Sequence, residues 1–167
     1  MDASTLTYYF QQYGIIVIFI IIFLEHLNLP GFPAAVIMPL VGIWASKSGG
    51  SLIEVLIIAD VAGVLGSCIL YFIGRLGGKF IIKIIEKKLP KYKSHIDKTI
   101  DMLQRKGFIG NLVSKLIPMI RTISPIPAGL IKLNFFSYLL SSAIGIAIWN
   151  GVLICGGYFC GEKFIFS

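Results

Sequence analysis

Acidic residues are scarce in this chain. Eight Asp and Glu stand among 167 residues, against fifteen Lys and Arg, and charged residues of both signs reach only 14%. An ordinary soluble domain carries about 25%. With 56% hydrophobic residues, the chain is too apolar to be such a domain, and too apolar to be disordered. Cysteine is rare as well. Cys68, Cys155 and Cys160 are an odd trio set in apolar runs, which argues against a disulfide scaffold. The two histidines, His26 and His95, are far apart, and no Cys/His spacing resembles a metal site. Nucleophile-elbow, Walker and dinucleotide glycine motifs are missing. No nucleophile–base arrangement is visible, so the sequence points away from an enzyme and calls for no metal or cofactor. What it has instead is long apolar runs, enough for four to six membrane-embedded segments at about 20 residues per full span.

The positive charge is concentrated. Residues 75–106 hold ten bases (Arg75, Lys79, Lys83, Lys87, Lys88, Lys91, Lys93, Lys98, Arg105, Lys106) and three acids (Glu86, Asp97, Asp101). That difference is the entire net charge of +7, and the rest of the chain is neutral. A basic segment between apolar runs follows the positive-inside bias and is expected on the cytoplasmic side. Its apolar residues Ile81, Ile85, Leu89, Tyr92, Ile96, Ile100 and Leu103 recur every three or four positions. That is helical amphipathicity, and Pro90 is expected to divide the segment into two interfacial helices.

Three spans are expected, at residues 8–29, 51–73 and 133–161. No cationic region precedes the first, unlike a cleaved signal peptide. Between the first two lies an apolar stretch interrupted by Pro30, Gly31, Pro33, Pro39 and Gly42. Prolines at this density argue against one straight helix. Broken backbone in a membrane must be covered by protein or line a cavity, so the stretch reads as a re-entrant hairpin. Residues 108–130 repeat the theme with Pro118, Pro125, Pro127 and Gly129. Two spans end alike, at Gly74 and Gly78 and at Gly157 and Gly161, both in the G-x-x-x-G spacing that lets helices approach closely. The expected fold is an all-α polytopic membrane protein, an inverted repeat of proline-broken re-entrant hairpins, each followed by a transmembrane helix. It forms a single membrane domain, residues 1–167. Residues 1–74 are the first half-repeat, 75–106 the basic cytoplasmic segment and 107–167 the second half-repeat. Opposed broken segments are the architecture of a transporter.

Charges within apolar segments are functional candidates by default. Lys115 and Arg121 flank Pro118 in the second broken segment, where a point charge and a planar fork suit one phosphate. The competing reading has them snorkelling to the interface or neutralising Glu25 and Asp60. Those two carboxyls end the first span and interrupt the second, where low dielectric suits them to carry protons. Asn150 reads as packing glue between helices. Pro33, Pro39, Pro118, Pro125 and Gly129 shape the hairpins.

At these residues the chain resembles the DedA family, also called the SNARE-associated or VTT-domain membrane proteins. Glu25 and the proline-rich stretch to Gly42 are similar to its first broken segment. Gly63 to Arg75 is like its Y-x-x-G-R region. Lys115, Pro118 and Arg121, then Pro125, Ala128 and Gly129, resemble its R-x-x-P-x-x-R hallmark. Phe135, Phe136, Gly145, Trp149 and Gly157 complete the likeness. The resemblance implies a flippase or scramblase for a phospholipid or for undecaprenyl phosphate, linked to the proton motive force. It places Lys115 and Arg121 at the two hallmark bases and Glu25 at the acid before the first hairpin. Three positions depart from it: Lys115 stands where Arg is usual, and Ala35 and Ser67 stand where acids are frequent. Relatives often carry one more helix, which a second subunit would supply, so a homo-oligomer is a candidate state. The expected partners are membrane lipids and not nucleic acid, and the expected location is the cytoplasmic membrane. The alternatives are a small-anion or ion transporter, and a non-transporting membrane interaction protein acting through residues 75–106.

Overall fold

In the computed structural model, residues 3–27, 34–88 and 93–163 are described, and no strand occurs among them. The chain is all-α: α1 Ala3–His26, α2 Ala34–Ser48, α3 Leu52–Lys88, α4 Lys93–Leu116, α5 Pro118–Ile123, α6 Pro125–Leu130 and α7 Phe135–Lys163. Leu52–Gly77 and Phe135–Cys160 are long and apolar enough to cross a membrane. The first expected span is helical to His26, and Tyr13–His26 is apolar among the described residues.

Two expectations about breaks are corrected. Pro39 does not divide its helix, because α2 runs through it from Ala34 to Ser48. Pro30 and Pro33 lie outside the described residues. The second span is apolar enough to cross from Leu52 to Gly77, close to the expected bounds, but the helix does not break after it: α3 continues as one helix of 37 residues to Lys88. No proline falls between Leu52 and Lys88, and Lys, Ile and Glu sustain a helix that Gly74, Gly77 and Gly78 weaken. Pro90 is outside the described residues. The boundary expected at residue 107 is a kink within α4, at Gly107 with φ 47° and ψ −112°. Only glycine visits such a conformation readily.

Prolines in the second broken segment act as expected. Ile117 is extended (φ −98°, ψ 118°), as a residue before proline prefers, and Pro118 opens α5. Pro125 opens α6 after Ser124, which stays helical. Pro125 has no N–H for the Arg121 carbonyl, and the Ser124 hydroxyl donates to that carbonyl instead, at 3.3 Å.

The chain divides into two compact units, Met1–Gly63 with Ala147–Ser167, and Val64–Ile146. In the first, one face of each helix builds the core: Ile18 and Ile22 of α1, Met38, Val41 and Ala45 of α2, Val55, Ala59 and Ala62 of α3, and Ile154 of α7. Backbones meet directly there. A Cβ on Gly42 would strike the Ile154 carbonyl, and one on Gly157 the Pro39 carbonyl. The second unit is centred on Tyr71, Leu103, Ala128 and Tyr138. Tyr71 and Tyr138 stack at 4.4 Å between centroids. In this unit a Cβ on Gly129 would strike the Tyr71 carbonyl, and one on Gly74 the Ile126 carbonyl. The amphipathic reading of α4 holds where side chains are described: Ile96 and Leu103 are buried, and Asp97, Lys98, Asp101, Arg105 and Lys106 are exposed.

Gly129→Val is expected to destabilise the fold by about 1–3 kcal/mol through overpacking. Gly151→Ala, where nothing lies within 4 Å, is expected to be neutral or to stabilise by up to about 1 kcal/mol. Thermal unfolding of the detergent-solubilised chain checks both.

Candidate functional site

The expected site residues fall in two clusters, one in each unit. Glu25 and Asp60 belong to the first unit, and Lys115 and Arg121 to the second.

In the second unit, Lys115 occupies the last turn of α4 and is only 3% exposed. Its stem passes α7 at Gly145, where a Cβ would collide with the lysine's own Cβ and Cγ. Its ammonium donates to Ser67 Oγ of α3 at 2.7 Å and lies 5.3 Å from the centre of the Tyr138 ring of α7. Ser67 is itself fixed. Its Oγ is 2.6 Å from Tyr138 Oη, which donates to the Ser67 carbonyl at 2.9 Å. The three bonds are mutually consistent: Lys115 donates to Ser67, Ser67 to Tyr138, and Tyr138 back to the Ser67 backbone. Among the described residues, no carboxylate lies within ion-pair distance of the Lys115 ammonium. Arg121, at the end of α5, is 7% exposed, and its charge acts on Lys115. The two cations that the sequence singles out are thus both buried and within electrostatic reach of each other.

Polar residues surround this pair. Asn111, one turn before Lys115 and fully buried, donates to Ser141 Oγ at 2.8 Å and Ser142 Oγ at 2.9 Å. Tyr71 Oη donates to the Leu133 carbonyl and accepts from Arg75 Nη1 at 2.8 Å. Pro125, Pro127, Ala128 and Gly129 are buried in α6. They set the short helices that follow Arg121.

In the first unit, Glu25 is buried, and its Oε2 lies 2.6 Å from His26 Nδ1. That ring nitrogen is also 3.0 Å from the Ile22 carbonyl. Half-buried Asp60 accepts from Asn150 Nδ2 at 2.9 Å. Asn150 thus hydrogen-bonds across helices, to a carboxylate of α3. Its own Oδ1 is buried with no hydrogen-bond partner among the described residues. The cysteines do not share one environment, since Cys68 and Cys155 are half-buried and Cys160 is exposed.

Tyr138 and Asn111 are not singled out by the sequence; Tyr71 enters it only within the Y-x-x-G-R likeness and Ser67 only as a departure. The signal for them was a run of polar side chains, Ser137, Tyr138, Ser141 and Ser142, in an otherwise apolar helix.

An all-helical, strongly apolar chain with cations buried among its helices belongs with the integral membrane proteins. The model of the VTT domain matches residues 29–159, and the chain belongs to that family, the DedA membrane proteins. The likeness read from the motifs is borne out. The chain is 32% identical to undecaprenyl phosphate transporter A of Staphylococcus aureus, over 95% of this chain and 80% of that protein. It is 31% identical to a protein of Lactococcus lactis named alkaline phosphatase-like, over 92% of this chain and 73% of that one. Protein DedA of Escherichia coli is 25% identical over 90% and 71%. No solved structure matches.

Asn111→Ala is expected to cost about 1–3 kcal/mol, since it strands buried hydroxyls. Arg105→Ala, which removes only an exposed pair with Asp101, is expected to cost under about 0.5 kcal/mol. Chemical or thermal unfolding in detergent reports the difference.

Proposed function

We propose that this protein is a membrane transporter for a lipid with a phosphate headgroup, a phospholipid or undecaprenyl phosphate. Lys115 and Arg121 hold the phosphate, and Glu25 and Asp60 carry protons that couple transport. The observation that carries the reading is Lys115 itself. A cation in an apolar interior is costly, and this one has a single neutral acceptor in Ser67. An arriving phosphate supplies the missing counter-charge through charge-assisted hydrogen bonds. Arg121 adds a fork that binds phosphate oxygens in pairs. The name of the S. aureus relative, a transporter of undecaprenyl phosphate, supports the same reading.

The proposed architecture is a multi-pass protein of the cytoplasmic membrane with residues 75–106 facing the cytoplasm. Exposed Arg75, Lys98, Arg105 and Lys106 suit an anionic lipid surface there. The segments around Pro39 and around Pro118 to Gly129 are read as opposed re-entrant elements of an inverted repeat. The backbone contacts that recur in the two units support this. In each, a glycine of the broken segment and a glycine of a long helix contact the other element's carbonyl.

Arg121→Ala is expected to reduce transport of a labelled polyprenyl phosphate or phospholipid into protein-loaded vesicles by at least about tenfold, the worth of one charge-assisted contact. Wild-type rates equal to those of empty vesicles would sink the proposal. Asp60→Asn is expected to abolish the response of transport to an imposed pH gradient. The same vesicles, with the gradient collapsed by an ionophore as control, test this.

A further inference from the structure

The chemistry around Lys115 carries a more specific statement about the ligand. Ser67 Oγ is the acceptor for the ammonium at 2.7 Å. Its own proton goes to Tyr138, and Tyr138 is tied back to the Ser67 carbonyl at 2.9 Å. Ser67 is therefore locked in place, neutral, with no donor left to offer a ligand. The other close group is the Tyr138 ring face, which is neutral too. Lys115 thus meets no counter-charge in the groups that bond it. The other titratable groups that act on Lys115 electrostatically are Arg121 and the Cys68 thiol of α3. The polar groups on α7 that approach this region, Ser141 and Ser142, are uncharged hydroxyls.

We propose that Ser67 is the specificity-determining residue of the site. By giving Lys115 a neutral partner in place of a carboxylate, it selects doubly charged phosphomonoesters over singly charged phosphodiesters. The inference rests on the reading of Lys115 as a phosphate ligand. A carboxylate at position 67 would occupy the ammonium and cancel one unit of charge, so a second charge on the ligand would gain nothing there. A neutral side chain of the same size would leave the charge in place.

Isothermal titration of the detergent-solubilised full chain tests this with two probes the size of a headgroup. Methyl phosphate is mostly a dianion at pH 7, its second pKa being about 6, and dimethyl phosphate is a monoanion. Wild type is expected to favour methyl phosphate by about tenfold or more, the scale of one added charge–charge contact in a partly desolvated site. Ser67→Asn is expected to keep that ratio and Ser67→Asp to lower it by about tenfold. A wild-type ratio near one, or no binding of either probe, overturns the proposal without needing a variant. Equal ratios for Ser67→Asn and Ser67→Asp overturn it as well. Transport is read separately in vesicles. If the probes bind with the expected ratios but no lipid moves, the transport reading falls and the role of Ser67 stands. If lipid moves but the ratio ignores position 67, Ser67 alone is wrong.

Discussion

A backbone amide in hydrocarbon has no water to turn to, so every break in a helix must be covered by something at very short range. Each unit answers this with backbone laid against backbone. Gly42 of α2 meets the Ile154 carbonyl and Gly157 of α7 meets the Pro39 carbonyl; Gly129 of α6 meets the Tyr71 carbonyl and Gly74 of α3 meets the Ile126 carbonyl. In all four elements the glycine and the touched carbonyl are three residues apart, one helical turn. Such an approach is open only to residues without a side chain, and it allows weak Cα–H···O contacts between the helices. The proline in or beside each contact is tolerated because the neighbouring element encloses it. Once these backbones are in place, the large side chains have little choice. Trp44 lies over Gly14 of α1, and Tyr71 and Tyr138 stack in the second unit.

The same economy of space lets a lysine enter the second unit. Gly145 clears a path for the Lys115 stem, and the ring of Tyr138 and the hydroxyl of Ser67 receive its end. A buried charge without a carboxylate partner is a standing cost to stability, and natural proteins tolerate such costs mainly at sites of function. Asn111, Ser114, Ser141 and Ser142 satisfy one another or nearby carbonyls beside it. They form a polar seam in which several hydroxyls stay bonded whatever Lys115 does.

Local rules made much of this readable. Pro118 and Pro125 open helices because a proline at the first helical position lacks only an N–H that would be unbonded anyway. Gly107 bends α4 at the residue where charge gives way to apolar character. Gly74 and Gly157 lie at close approaches, as their spacing suggested. Other features were hidden for physical reasons. Pro39 sits inside α2 because packing against α7 outweighs its local preference, and no local pattern reports a neighbour at Gly157. The run of α3 to Lys88 depends on the absence of a terminator, which glycines at 74, 77 and 78 obscured. The partners of the candidate residues are remote: Ser67 lies 48 positions from Lys115 and 71 from Tyr138, and Asp60 lies 90 from Asn150. Contacts at that separation are set by the tertiary fold, and single-sequence periodicity carries no trace of them.

The distribution of charge then acquires a physical division of labour. Described side chains of the basic segment such as Lys98, Arg105 and Lys106 are exposed. There water and salt screen them, and a pair such as Arg105 with Asp101 contributes little to folding. Glu25, Lys115 and Arg121 are buried and Asp60 is half-buried, where dielectric screening is weak and each charge governs its surroundings. The screened charges suit a loose, additive attraction to a surface of opposite sign. The unscreened ones suit discrimination between ligands that differ by one proton or one ester bond. On the proposed reading of the site, a single neutral hydroxyl at Ser67 therefore matters more to what is accepted than the whole +7 of residues 75–106.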